Sequence, residues 1–240
     1  MCQPQPLLLL LSCPWANASA LQGQTVGGHE VLLLSHPYMA YLKVEMLACG
    51  GFLVAPDWVM TAAHCMGNAT VIVGAHNIHK PETTQQIRGV LGYHQHSEYD
   101  PNTMSNAIML LKLTAKATLN DYVKAIPLPK IGSDLPTGTK CSIARWGLID
   151  DDQVTNKLFE TKVSIYHRRK CIHFYPHLNT SMVCAGSFCE LRDSSQGNSG
   201  GPPVCNKVAQ GIVSFGYNSP PRVYTRISNH LPWIKKTLKK

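Results

Sequence analysis

Two short segments carry the side chains best suited to covalent chemistry. His64 stands in Thr61-Ala62-Ala63-His64-Cys65, and Ser199 in Gly197-Asn198-Ser199-Gly200-Gly201-Pro202. A serine hydroxyl attacks a carbonyl only when a base takes its proton, and imidazole does this near neutral pH. Acyl transfer needs two further parts: a group that orients the base and donors for the developing oxyanion. A lone Ser or His is ordinary, so the assignment rests on the two motifs and their order.

These segments resemble the trypsin/chymotrypsin family of serine proteases. Thr25-Val26-Gly27-Gly28-His29-Glu30 is similar to a protease mature N-terminus. His36-Pro37-Tyr38-Met39-Ala40, Val73-Gly74-Ala75-His76-Asn77-Ile78 and Tyr99-Asp100-Pro101-Asn102-Thr103 resemble granzymes and mast-cell proteases. Cys205-Asn206-Lys207-Val208-Ala209-Gln210-Gly211-Ile212-Val213-Ser214 is similar to granzymes of the B and H type. The resemblance implies an all-β fold, two antiparallel β-barrels with the active site in the cleft between them. It implies Ser199 as nucleophile, His64 as base, and the Gly197 and Ser199 N–H groups as oxyanion hole. It also implies that residues 25–240 form the protease domain.

Three departures from the family pattern bear on activity. The segment Ser105-Asn106-Ala107-Ile108-Met109-Leu110-Leu111 has Ala107 where the family has the orienting aspartate. Alternation along a strand would turn Ser105 and Asn106 elsewhere, while Ser214 matches a family serine that bonds the lost carboxylate. Asn198 replaces the aspartate that pairs with the new N-terminal amine after activation. Gly23-Gln24 is similar to the granzyme activation dipeptide, so residues 21–24 read as a propeptide and cleavage would leave Thr25. An ammonium buried there without a countercharge costs several kcal/mol. In the specificity pocket, Asp193 resembles the acidic base that selects Arg or Lys, whereas Arg222 after Pro220-Pro221 resembles an arginine that favours acidic residues. Gly216 and Ser214 would line the same pocket. Arg222 either enters and pairs with Asp193, or turns outward and leaves a tryptic pocket. The family therefore implies a serine endopeptidase whose activity is impaired or absent. The alternatives are a working endopeptidase with weak basic preference and a non-catalytic cationic binding protein.

The chain has 240 residues, 44% of them hydrophobic, which suits one unit with a sizeable core. Leu7 to Leu11 followed by Ala16-Asn17-Ala18-Ser19-Ala20 reads as a signal peptide over residues 1–20, though no basic residue precedes the leucines. The run is too short to span a bilayer. Secretion, and by the resemblance a secretory granule, is the expected location. Cys2 and Cys13 leave with the leader, so seven of nine cysteines stay, an odd number. The resemblance implies disulfides Cys49–Cys65, Cys141–Cys205 and Cys171–Cys184. Cys189 is left as an inert or capped thiol, or as half of an intermolecular disulfide.

Net charge is +8 and pI about 9.0, and residues 1–24 hold no charged side chain. His167-Arg168-Arg169-Lys170 and Lys235-Lys236 with Lys239-Lys240 are the dense clusters. They form either a solvated face or a site for an acidic proteoglycan or heparin-like polyanion. No nucleic-acid recognition motif accompanies them. Asn68-Ala69-Thr70 and Asn179-Thr180-Ser181 are glycosylation sequons, with Asn68 favoured. No cofactor or metal is expected, Glu82 alone being no calcium site, and the chain is expected to be a monomer.

The elements that must position these residues are mostly strands. Gly51-Phe52-Leu53-Val54, Val71-Ile72-Val73-Gly74, Ile108-Met109-Leu110-Leu111 and Gly211-Ile212-Val213-Ser214-Phe215 are short apolar runs between turn signals, as in closed antiparallel sheets. Leu231, Ile234 and Leu238 recur at helical spacing. They predict a short C-terminal helix capped by Asn229 with Pro232 in its first turn.

Overall fold

The computed structural model describes residues 28–45, 47–150, 153–186, 199–216 and 221–240. Strands β1 (His29–Glu30), β2 (Met39–Val44), β3 (Leu47–Ala55), β4 (Trp58–Thr61), β5 (Ala69–Val73), β6 (Gln86–Gln95) and β7 (Met109–Leu113) come first. All but β1 close into an antiparallel barrel in the order β2-β3-β4-β7-β6-β5. Closure leaves no unpaired edge.

The second half contains β8 (Lys140–Asp150), β9 (Gln153–Ile165), helix α1 (Arg168–Phe174), β10 (Met182–Gly186), β11 (Pro203–Cys205), β12 (Val208–Ala209), β13 (Gly211–Gly216), β14 (Arg222–Arg226) and helix α2 (Ile227–Thr237). Its strands run β12-β11-β8-β9-β10-β14-β13 in a near-closed barrel, with β1 pairing β9. The four apolar runs fall within or across β3, β5, β7 and β13. β7 lies between β4 and β6 and is buried along Met109, Leu110 and Leu111.

The barrels are stitched by polar contacts that span the whole chain. Trp146 Nε1 donates to His76 O at 3.0 Å, and Ala209 N–H to Pro127 O at 3.0 Å. Thr225 Oγ1 on β14 donates to Ala107 O at 3.3 Å. That last bond joins the second barrel to the residue that enters β7.

α2 differs from expectation at its start. It begins at Ile227 with Arg226 as N-cap and no side-chain cap, so Asn229 lies inside the first turn and Pro232 in the helix interior. Proline there removes an N–H that would bond the carbonyl four residues back. That carbonyl, of Ser228, instead faces Gly132 N–H at 3.4 Å. Asn229 turns its amide to Thr180 O at 3.1 Å. Leu231 and Ile234 are buried and Leu238 packs beside them.

Candidate active site

His64 sits in a single 3₁₀ turn, Ala63–Cys65, directly after β4. β4 pairs with β7, the pairing ending at Thr61 opposite Met109. The disulfide Cys49–Cys65 ties this turn to β3. Cys141–Cys205 links β8 to β11, and Cys171–Cys184 links α1 to β10. Each constrains the unfolded chain more than the folded one.

Ser199 is held from both barrels. Its carbonyl accepts from Gly50 N–H of β3 at 2.7 Å. Behind it Gly200 N–H donates to Val213 O at 3.0 Å, and Val213 N–H returns to Gly201 O at 2.9 Å. Gly200 has φ +91, and a Cβ there would collide with Gly50 O and Thr61 Oγ1. Only glycine lets the Ser199 segment approach so close to the strand that leads into His64. Gly50, Thr61 and Val213 are positioning residues that the motifs alone did not announce.

Ala107 is completely buried. Its neighbours are committed elsewhere. Ser105 Oγ meets Thr103 Oγ1 and Asn179 Nδ2, both at 2.9 Å. Asn106 Nδ2 donates to Glu98 O at 2.9 Å, and Asn106 Oδ1 meets His230 Nε2 at 3.0 Å. The cause is not strand alternation. Asn106 adopts φ 54 in a tight turn in which Ile108 N–H bonds Asn106 O at 2.7 Å.

His64 Nδ1 and Ser214 Oγ are both sealed from solvent, and neither has a hydrogen-bond partner among the described residues. A buried donor left unpaired costs about 1–3 kcal/mol. Ser214 is 4% exposed and sits where β13 bulges against β14, between Val213 and Phe215. Burial holds the His64 imidazole below its usual pKa, so the neutral, proton-accepting form dominates at neutral pH.

On the far side of Ser214, Gly216 pairs with Arg222 across β13 and β14. A Cβ at Gly216 would come within 2.9 Å of Arg222 Cγ, so the arginine stem lies against the glycine backbone. Arg222 is 4% exposed. It does not turn out to solvent.

Thr25, Asp193, Cys189, Gly197 and Asn198 lie outside the described residues, as do residues 1–24, for which the sequence predicts a leader and propeptide. Glu82 is a loop staple: Oε2 accepts from His76 N–H at 2.8 Å and Oε1 from Asn77 N–H at 3.0 Å. Among the described residues no cluster of three or more His, Cys, Asp or Glu could hold a metal, and no helix is long and apolar enough to cross a membrane.

The Trypsin family model matches residues 25–234. This chain belongs to the trypsin family. Cathepsin G of Mus musculus is 41% identical over 98% of this chain and 93% of that protein. Granzyme B of Homo sapiens is 43% identical over 98% and 99%. Among solved structures, that of GrC superposes with a TM-score of 0.85 at 39% identity, covering 90% of this chain and all of the other. The trypsin-family chain is thus a granzyme-like serine protease homologue with the chymotrypsin-like pair of barrels, in a family that acts on protein substrates.

Proposed function

We propose that this chain is a granzyme-like serine endopeptidase homologue whose acyl-transfer chemistry is impaired at the base. One observation carries the reading: the fully buried residue where the family pattern has its orienting aspartate is Ala107, and His64 Nδ1 has no hydrogen-bond partner among the described residues. In this reading Ser199 is the nucleophile, His64 the base, and the Gly197 and Ser199 N–H groups the oxyanion donors. With no carboxylate on Nδ1, nothing selects the tautomer that leaves Nε2 free to accept the serine proton, and nothing balances the imidazolium. Losing that carboxylate lowers turnover by about 10⁴ in a serine protease.

Residues 1–20 act as a signal peptide and 21–24 as a propeptide, giving a secreted, granule-stored chain from Thr25. Asn198 then meets the Thr25 amine without neutralising it, which weakens the activation switch. Arg222, buried against Gly216, belongs to the specificity pocket and offsets Asp193 there. Asn68, exposed before β5, is the glycosylation site. The Asn179 amide is engaged by Ser105 and is the poorer acceptor for a glycan.

The deciding experiment compares the chain starting at Thr25 with its Ala107→Asp variant in peptide ester turnover and in fluorophosphonate labelling of Ser199. A gain of about 10²–10⁴ in turnover is expected. Equal turnover in the two chains defeats the reading.

A second reading rests on the basic surface. His167, Arg169 and Lys170 on or before α1, and Lys235, Lys236, Lys239 and Lys240 at the C-terminus, are exposed. They support binding of a sulfated polyanion on a monomeric chain whether or not Ser199 is active.

A further inference from the structure

We propose that the Leu32-Leu33-Leu34 turn, with the lysines of the groove beside it, is a docking surface for a membrane leaflet rich in anionic lipid. The leucines enter the boundary between headgroups and acyl chains, and the lysines meet the headgroup charge. The inference goes beyond the protease reading and does not depend on whether Ser199 is active.

Leu32, Leu33 and Leu34 are consecutive apolar side chains that the fold leaves in solvent, at 83%, 63% and 49% exposure. A single exposed leucine is ordinary, but a contiguous set calls for a partner. The turn that carries them is pinned at both ends. Val31 before it is buried, and its N–H donates to Leu158 O of β9 at 3.0 Å. Ser35 after it closes the turn on Leu32 O, through its N–H at 3.1 Å and its hydroxyl at 2.7 Å. Leu34 takes φ 75, in the left-handed region that glycine or asparagine enters at less cost. Neither packing nor backbone conformation therefore explains a leucine there, whereas an apolar partner does. Tyr122, 39% exposed, lines one hollow with all three leucines and widens the patch.

The charge comes from the adjoining concavity. Leu34 also lines an open groove of about 970 Å³ with Lys124, Lys140, Lys162 and Lys207. Sheet register explains how the lysines gather. Lys162 of β9 stands opposite Ser142 of β8, and Ser142 opposite Val204 of β11. Opposed residues share a face, and Lys140 lies on it two residues from Ser142. The alternate residues Cys141, Ile143 and Val163 pack in the core of the second barrel. Lys207 sits in the two-residue turn Asn206-Lys207 between β11 and β12, both at positive φ. All four lysines are exposed. Lys124 pairs with Asp121 at 3.0 Å, but among the described residues Lys140, Lys162 and Lys207 have no carboxylate partner. Glu160 lines the groove too, with its Oε2 held by His36 Nε2 at 2.7 Å. Positive charge thus outweighs negative beside the apolar turn. A soluble polyanion would use the lysines and leave the leucines in water, whereas a leaflet uses both. Apolar insertion joined to a basic patch is the pair of signals that holds a protein at an anionic interface.

The test uses vesicles of phosphatidylcholine alone and with about 30% phosphatidylserine, on the full chain and on the chain starting at Thr25. Leu33→Trp places an indole in the turn. Its quenching by brominated acyl chains, in excess of that of the native chain, reads insertion of the turn whatever else anchors the protein. Excess quenching is expected in both chains on the anionic vesicles. On the chain starting at Thr25, where Leu7 to Leu11 cannot contribute, Leu32→Ser, Leu33→Ser and Leu34→Asn together should lower partitioning at least about tenfold. Lys140→Gln, Lys162→Gln and Lys207→Gln together should lower it about as much on anionic vesicles, and about 0.5 M salt should do the same to the native chain. Neither set should lower the melting temperature by more than about 2 °C, since all six side chains are exposed. Failure of the native chain to partition onto anionic vesicles overturns the proposal. So does the absence of excess quenching, equal partitioning on the two kinds of vesicle, or partitioning that survives either set of changes. If the lysine set weakens retention on heparin while the leucine set leaves vesicle binding intact, the face serves a soluble polyanion and the proposal fails.

Discussion

At the scale of single residues, the imidazole of His64 decides what chemistry is left. Burial lowers its pKa, and no carboxylate pulls it back up. In the proposed reading His64 is the base and works as the neutral ring, so the acidic limb of kcat/KM follows this pKa. Residual activity of the processed native chain should persist to lower pH than that of Ala107→Asp. An anionic partner within about 4–6 Å raises a histidine pKa by roughly 1–3 units. A pH–rate profile checks this, and a limb that stays put or moves down on adding the carboxylate refutes it. His64, Ser199 and the odd residue Ala107 were legible in sequence because each sits in a contiguous motif. The bond between Asn106 and His230 was not legible, since it spans 124 residues. Nor was the burial of Arg222, because a rotamer is chosen by packing against Gly216 and not by local sequence.

At the scale of elements, the strands were read more easily than the helices. Apolar runs bounded by turn residues mark β3, β5, β7 and β13, whereas α1 is a seven-residue helix rich in cations whose one fully buried residue is Cys171. Without an apolar face it reads as a charge run. The helix changes what its arginines do. Arg168 donates to Leu178 O at 2.9 Å and Met182 O at 3.3 Å, so it closes the loop between α1 and β10. Arg168, Arg169 and Lys170 are all exposed, but of the three guanidinium and ammonium groups Arg168's is the one bonded to these carbonyls. The basic cluster therefore divides into a structural arginine and a pair available to ligands. Arg168→Ala should lower stability by about 1–3 kcal/mol, the worth of bonds from a charged donor. Replacing Arg169 and Lys170 together by alanine should leave the melting temperature within about 2 °C, as for surface changes. The pair should also elute from heparin at lower salt. Denaturant melts and a heparin column decide between this division and a diffuse field, in which all three replacements would shift elution alike.

At the scale of the whole molecule, buried and half-buried histidines tie stability to pH. His36, His64, His94, His96 and His230 all have lowered pKa values with burial as the leading cause, opposed at His36 by Glu160, at His96 by Glu98 and at His230 by the Arg226 carbonyl. The unfolded chain binds their protons near pH 6.5, while the folded chain resists until lower pH. Below about pH 6.5 the unfolded state thus holds more protons, and stability falls as pH falls. Glu30, whose carboxyl is lowered chiefly by its hydrogen bond to His76 and also by Lys157, has a separate window that opens only as pH falls past its ordinary value of 4.5. A melting temperature that declines between pH 7.5 and 5.5 is therefore assigned to the histidines. The net charge of +8 offers a rival cause, since acid adds positive charge to a chain that already repels itself. Salt separates the two. At about 0.5 M salt the Debye length falls to a few ångströms and long-range repulsion is screened, but the cost of charging a buried ring is not. The decline should survive added salt, and its disappearance there would place the effect in the surface charge and not in the buried imidazoles.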